Sequence, residues 1–220
     1  MESIKKYFPE FTKEQINSFS ELPSLYAEWN AKINVISRKD LDFFTTHHLL
    51  HSLAIARCVF DISKESKVFP AGSSVIDIGT GGGLPGIPLA IAFPDVHFTL
   101  MESSGKKIKV VEGISSALGL QNVEPVQARS TDIHDKKWNY IVSRAVTAFP
   151  DFVKQTRHLL LPPDNTSDFD FILPQGTYYL KGGDFLAETN PFGSRVKIIE
   201  IKDWFKEDFF DTKRIIFLKA

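Results

Sequence analysis

The stretch of this chain best suited to chemistry runs Val75–Ile76–Asp77–Ile78–Gly79–Thr80–Gly81–Gly82–Gly83–Leu84–Pro85–Gly86–Ile87–Pro88. It opens as an apolar strand, turns through glycines and enters a helix. Proline is tolerated only in a helix's first turn, so Pro85 and Pro88 confine the helix start to within a few residues of Leu84. Glycine permits positive φ and close approach of a ligand to the backbone. The helix end favours a negative group, phosphate or carboxylate. Such a turn alone also suits a dinucleotide. Two acidic residues separate the readings. Asp77 lies two residues before Gly79, where a carboxylate repels a pyrophosphate but pairs with an ammonium group. Glu102 ends the next expected strand, where a carboxylate accepts hydrogen bonds from ribose hydroxyls. A ligand carrying ribose, an amine and a carboxylate, without phosphates, fits better than NAD, and S-adenosylmethionine is such a ligand. The plainer alternative is a turn that merely packs strand on helix, with Asp77 as a helix cap.

These residues need elements to position them. From Thr12 to about Ile62 the pattern is helical: Leu22, Leu25, Tyr26 and Trp29 recur at three- and four-residue spacing, as do Leu49, Leu50, Leu53, Ile55 and Ala56. Ser24, after Pro23, is expected to cap a helix, and Asp40 to precede a second helical run. From Ser73 onward, β-rich runs at 74–78, 97–101, 123–127, 140–143, 178–181, 196–201 and 214–218 alternate with helical patterns near 87–93, 105–118 and 149–160. Alternation of this kind predicts a doubly wound α/β fold with a mostly parallel sheet. The last two runs lie close together, which predicts an antiparallel edge. Residues 162–174, rich in Pro, Asp and Ser, read as a loop. The expected organisation is a helical N-terminal extension over 1–66 and a single-core α/β domain over 67–220.

Composition excludes several classes. With 220 residues, 26 Lys+Arg against 27 Asp+Glu and 43% apolar residues, the chain reads as an ordinary globular protein. The near-zero charge argues against indiscriminate coating of nucleic acid, which rests on many cation–phosphate contacts. No apolar run reaches the ~18–20 residues of a membrane span, and Lys5 and Lys6 are followed by no apolar stretch, so residues 1–11 do not read as a secretory signal. The single cysteine, Cys58, permits no intramolecular disulfide and no cysteine-cluster zinc site. A soluble, cytoplasmic monomer is the expectation.

The segment from Asp77 to Ala90 resembles the signature of the bacterial 16S ribosomal RNA guanine-N7 methyltransferases, the glucose-inhibited division protein B family. Further pieces match in order: Trp29–Asn30 with Asn34, His48–Leu49–Leu50 with Ser52, Phe98–Thr99–Leu100–Met101–Glu102–Ser103, Lys106–Lys107, Val123–Glu124–Pro125–Val126–Gln127, Val142–Ser143–Arg144–Ala145 and Leu180–Lys181–Gly182. The resemblance implies a class I, Rossmann-like methyltransferase that uses S-adenosylmethionine to methylate N7 of one guanine in the decoding region of 16S rRNA, with the small ribosomal subunit as partner. It places the cofactor against Gly79, Gly81 and Leu84 of the turn, Glu102, the Ser130–Thr131 pair and Arg144, beside Asp77. The chain departs from the family pattern at His47, His48, His51 and Ser52, where many members have Arg-His…Asp-Ser. It also has Asn139 for an acidic residue and Ser130–Thr131 for Val-Glu, with Asp132 as a neighbouring substitute.

Residue chemistry agrees with a ring-nitrogen target. Guanine N7 carries a lone pair and no proton, so its methylation needs no general base, and positioning alone can supply up to ~7–11 kcal/mol. Carbon-5 methylation uses a cysteine nucleophile, and Cys58 lies far from any strand end. The Asp/Asn-Pro-Pro-aromatic loop of exocyclic-amine methylation is replaced by Ser143–Arg144–Ala145. Arg144 is the expected catalytic residue, holding a carboxylate, a phosphate or guanine O6. Lys106, Lys107, Arg129, Lys181 and Arg214 are the expected RNA contacts, Lys181 first among them, and Arg38 and Lys39 extend the patch. His47 and His51 read as a polar helix face rather than a metal site. Trp204–Phe205 and Phe209–Phe210 read as core closure rather than a base-stacking platform. The alternatives are methylation of a small molecule or protein, an NAD-dependent oxidoreductase, and a non-catalytic RNA-binding protein.

Overall fold

The computed structural model describes residues 1–62, 69, 72–144, 147–162 and 174–220. The expected boundary at 66/67, Ala145 and most of the 162–174 loop lie outside them. Five strands, β1 (Ser74–Ile78), β2 (His97–Glu102), β3 (Val123–Gln127), β4 (Tyr140–Arg144) and β5 (Gly176–Gly182), run parallel. At the edge, β7 (Lys213–Lys219) pairs antiparallel with β5, and β6 (Val196–Glu200) antiparallel with β7. The order is β3-β2-β1-β4-β5-β7-β6. The doubly wound sheet and its antiparallel edge are as expected. The order reverses between β1 and β4, and ligands of open α/β sheets bind outside the carboxyl ends of the strands at such a point.

Strand side chains alternate with period two. On one face Val75, Leu100, Val142, Leu180 and Ile215 join a buried cluster with the N-terminal helices and with α4 (Gly86–Ala92) and α5 (Gly105–Ala117). On the other face Ile76, Met101, Ile141, Tyr179 and Ile216 pack with α6 (Phe149–Thr156). Asp77 and Arg144 follow Val75 and Val142 by two residues, and so lie on the face that the N-terminal helices cover. The N-terminal segment therefore shares its core with the sheet.

That segment comprises α1 (Glu2–Tyr7), α2 (Lys13–Lys32), a 3-10 turn (Arg38–Phe43), a π-helical stretch (Phe44–Leu50) and α3 (His51–Ile62). The expected cap at Ser24 is corrected. Thr12 Oγ1 accepts from Gln15 N at 3.3 Å while Gln15 Oε1 accepts from Thr12 N at 2.9 Å, and this capping box, at Thr12 instead of Ser24, opens α2. Pro23 lies inside α2. Burial of Phe19, Leu22 and Tyr26 along one stripe carries the helix through the hydrogen bond that proline cannot donate.

A Cβ on Gly113 of α5 would stand 2.0 Å from Trp29 Cζ2 of α2. Gly113→Ala gains helix propensity of under ~1 kcal/mol but overpacks a helix contact at a cost of ~1–3 kcal/mol. A lower melting temperature is expected, and a thermal melt beside the parent checks it.

Candidate active site

The glycine turn is built by backbone hydrogen bonds to the neighbouring strand. Gly79 N and Thr80 N both donate to Met101 O of β2, at 2.9 and 3.0 Å. Gly79, Gly81 and Gly83 have φ of +68°, +60° and +102°, a region that suits glycine. A Cβ on Gly81 would meet nothing within 4 Å, so its backbone is open to a ligand. Beneath the turn, Tyr26 of α2 donates its hydroxyl to Gly82 O at 2.9 Å, locking the N-terminal segment to the loop.

An open cavity of about 1190 Å³ lies at the carboxyl ends of β1, β2 and β4, and Gly79, Gly81, Glu102, Ser130, Thr131 and Arg144 line it. Glu102, 9% exposed, is oriented by three short-range donors. Its Oε2 accepts from Gly81 N at 3.2 Å, and its Oε1 from Ser104 N at 3.0 Å and from Ser103 Oγ at 3.3 Å. Oε2, with a single donor, retains accepting capacity. The far wall is α6 with the turns beside it, contributing Asp151, Phe152, Gln155 and His158.

Two of the expected contacts sit behind the wall. Asp77 is wholly buried. Its Oδ2 accepts from Thr80 Oγ1 at 2.6 Å and from Gly86 N, at the start of α4, at 2.8 Å. The capping alternative therefore describes Asp77, although Oδ1 is buried without a hydrogen-bond partner. Burial pushes its pKa up to about 7, against the lowering pull of those two donors and of Arg144. Leu84 is buried in the apolar cluster under the turn and does not line the cavity, because the turn aims its side chain at the sheet.

Arg144 reaches the cavity from the end of β4. Its Nη1 lies 3.1 Å from His48 Nδ1 and 3.4 Å from His47 O. Facing a guanidinium, which can only donate, Nδ1 must be the accepting nitrogen. Burial, followed by the Arg144 charge, pulls His48 down to about 4. The result is a guanidinium held at the cavity by neutral groups, with the Asp77 carboxyl nearby.

A family model described as rRNA small subunit methyltransferase G (GidB) matches residues 15–166. Proteins named ribosomal RNA small subunit methyltransferase G are 43% identical in Bacteroides fragilis, over 99% of this chain and 99% of the relative. The one from Flavobacterium psychrophilum is 46% identical over 98% and 96%. This chain belongs to that family. Solved structures share the fold at low identity. A mutant of MtNAS in complex with S-adenosylmethionine superposes with TM-score 0.57 at 12% identity, over 94% of this chain and 76% of that one. A SAM-dependent methyltransferase from Aquifex aeolicus superposes with TM-score 0.51 at 13% identity, over 77% and 92%.

For a family member, the expected RNA-contact residues divide sharply. Lys107 and Arg129 line the cavity rim, with Lys107 Nζ 3.8 Å from Glu102 Oε2. Lys106 is exposed on α5 away from the cavity wall. Lys181 departs from expectation: its side chain is 14% exposed and pairs with Glu188 Oε2 at 2.5 Å. That same carboxylate oxygen accepts from Phe149 N at 2.6 Å, so Lys181 steadies the start of α6. Arg214 sits beside Lys181 in the sheet register and pairs with Glu200 at 2.7 Å. Both lysine and arginine are held by carboxylates supplied from elements that sequence spacing does not bring together.

His47 pairs with Asp40 at 3.0 Å, and among the described residues no group of three or more His, Cys, Asp or Glu could hold a metal. Burial pushes the Cys58 thiol up to about 12, so it is no nucleophile. Among the described residues no helix is long and apolar enough to cross a membrane. Sequence reasoning missed the α6 wall. Its only signal is the 151, 155, 158 spacing, which puts three polar side chains on one helical face. His158 Nε2 faces the carbonyls of Ser130 and Ile133 at 3.2 and 3.0 Å, so it donates and braces the Ser130 turn.

Proposed function

We propose that this chain transfers the methyl group of S-adenosylmethionine to N7 of a guanine in 16S rRNA of the small ribosomal subunit. The observation that carries the reading is one cavity holding an open glycine turn, a pre-oriented Glu102 and a half-buried Arg144 at the sheet's switch point. Glu102 would accept from the ribose hydroxyls, and the backbone at Gly79 and Gly81 would lie against the donor. The Ser130–Thr131 turn, braced by His158, would flank the adenine. Asp77 acts through the turn, by holding Thr80 and Gly86. The bound donor supplies an electrophilic methyl group on a sulfonium. Arg144 would orient the purine through O6 or an adjacent phosphate and must leave N7 unoccupied, since donation there would consume the attacking lone pair. The cysteine chemistry of carbon methylation finds no support, because Cys58 is buried on α3. On this reading the protein works as a cytoplasmic monomer.

The deciding experiment incubates labelled S-adenosylmethionine with small-subunit rRNA lacking the modification, followed by reduction and aniline treatment. Label in the RNA with strand scission at one guanine is expected. Label without scission would move the reaction to another atom and overturn the N7 assignment.

A further inference from the structure

We infer that the ring stack Phe43–His47–Phe209, beside Arg144, is a platform on which an unpaired nucleobase of the RNA substrate stacks. This rests on the RNA-methylating function proposed above. Phe43 is 57% exposed, and among the described residues only Leu186 is a comparably exposed large apolar side chain. A single exposed apolar residue needs no explanation, but Phe43 is not isolated. Its ring lies 4.9 Å from the His47 ring at 16°, and His47 lies 4.0 Å from Phe209 at 15°. The Lys213 ammonium sits 4.6 Å over Phe209. Phe209 and Phe210 both close the core as expected, Phe210 buried and Phe209 partly buried against it, and Phe209 also forms the inner end of the stack.

The stack is rigid and tied to the cavity. Asp40 fixes the His47 ring through Nδ1 at 3.0 Å. Arg144 donates to the His47 carbonyl, so one residue carries both the stack and the cavity's guanidinium contact. Phe43 stands where the 3-10 turn meets the π-helical stretch, a kind of backbone irregularity often found at functional sites. Arg38 and Lys39 of the same turn are exposed and make no ion pair among the described residues. Asp40 is taken up by His47, which leaves only Asp42 against them, so the rim can accept phosphate.

The chemistry of the partner follows. N7 lies in the major groove, which in A-form RNA is too deep and narrow for side chains to read. The target guanine must therefore be unpaired or drawn out of its helix, and its neighbours lose stacking when it moves. Exposed aromatic rings replace that stacking for any base.

The test uses the full chain and small-subunit particles lacking the modification. Phe43→Ala should raise KM for the particle about tenfold, the fold-change of one lost stacking contact. Affinity for S-adenosylmethionine and the melting temperature should stay at parental values. Phe43→Trp should keep the parental KM, and its added emission should be quenched by the particle through contact with a base. Unchanged KM in Phe43→Ala, with the parent active, overturns the platform alone. A blue shift of the tryptophan without quenching would place a ribosomal protein there and also overturns it. A parent that transfers no methyl to RNA overturns the proposed function itself, before any variant is compared.

Discussion

Arg144→Ala should lower kcat/KM by about 100- to 1000-fold, the scale of removing one pre-oriented donor from a catalytic site. The guanidinium is held at the cavity wall, and its removal leaves His48 Nδ1 and the Asp77 carboxyl without their facing charge. Leaving the hydrogen-bond partners of this half-buried group unsatisfied also costs stability, of the order of 1–3 kcal/mol. Arg144→Lys separates the two effects. An ammonium keeps the charge but not the planar fork, so it should recover stability more fully than turnover. Steady-state kinetics together with urea unfolding read both. Parental turnover in Arg144→Ala would reduce Arg144 to a structural group.

The second large effect is expected at Asp77. Asp77→Ala strands the Thr80 hydroxyl and the Gly86 N–H, both buried, and should destabilise by about 3–5 kcal/mol while weakening binding of the methyl donor. Asp77→Asn keeps the shape and exposes a pH effect. Burial raises the folded-state pKa to about 7, well above the ordinary carboxylate range. The groups facing this carboxyl are Thr80, the Gly86 amide, Arg144 and Glu102. The native state thus holds its proton more tightly than the unfolded chain. That contribution is fully present below the unfolded value and is lost as pH rises through about 7, beyond which it is flat. Parent stability should therefore fall relative to Asp77→Asn between about pH 4 and about pH 7, measured by urea unfolding at each pH. A constant difference between the two proteins would mean that the carboxyl is ionised throughout.

Strands, their order of appearance and the glycine turn were legible in the chain because each depends on local pattern. Apolar runs of period two, bounded by turn residues, mark β1 to β7 to within a residue or two. The pair Pro85 and Pro88 leaves no other place for α4 to start. Glu102 and Arg144 were legible for the same reason, since a residue at a strand's carboxyl end is carried to the sheet's edge by the strand itself. Helix α2 was misread at Pro23, because the burial of its stripe against α4 and α5 outweighs the local penalty of a proline.

What only the folded molecule decided is which charged groups remain available. Lys181 was the leading RNA contact by position, yet Glu188 arrives from a later helix and engages it. Arg214 is engaged by Glu200 across the edge strands in the same way. Asp77, expected beside the ligand, is bonded to Thr80 and Gly86 in the turn itself. Phe43 and His47 lie four residues apart, but Phe209 comes from the far end of the chain, and its ring joins theirs only once the turn before β7 lies against the N-terminal segment. Hydrophobic period and turn chemistry are encoded within a few neighbouring residues, so the chain alone determined the scaffold and the glycine turn at the end of β1. Pairing of charges and rings depends on distances of a few ångströms between remote segments, and only tertiary structure sets those.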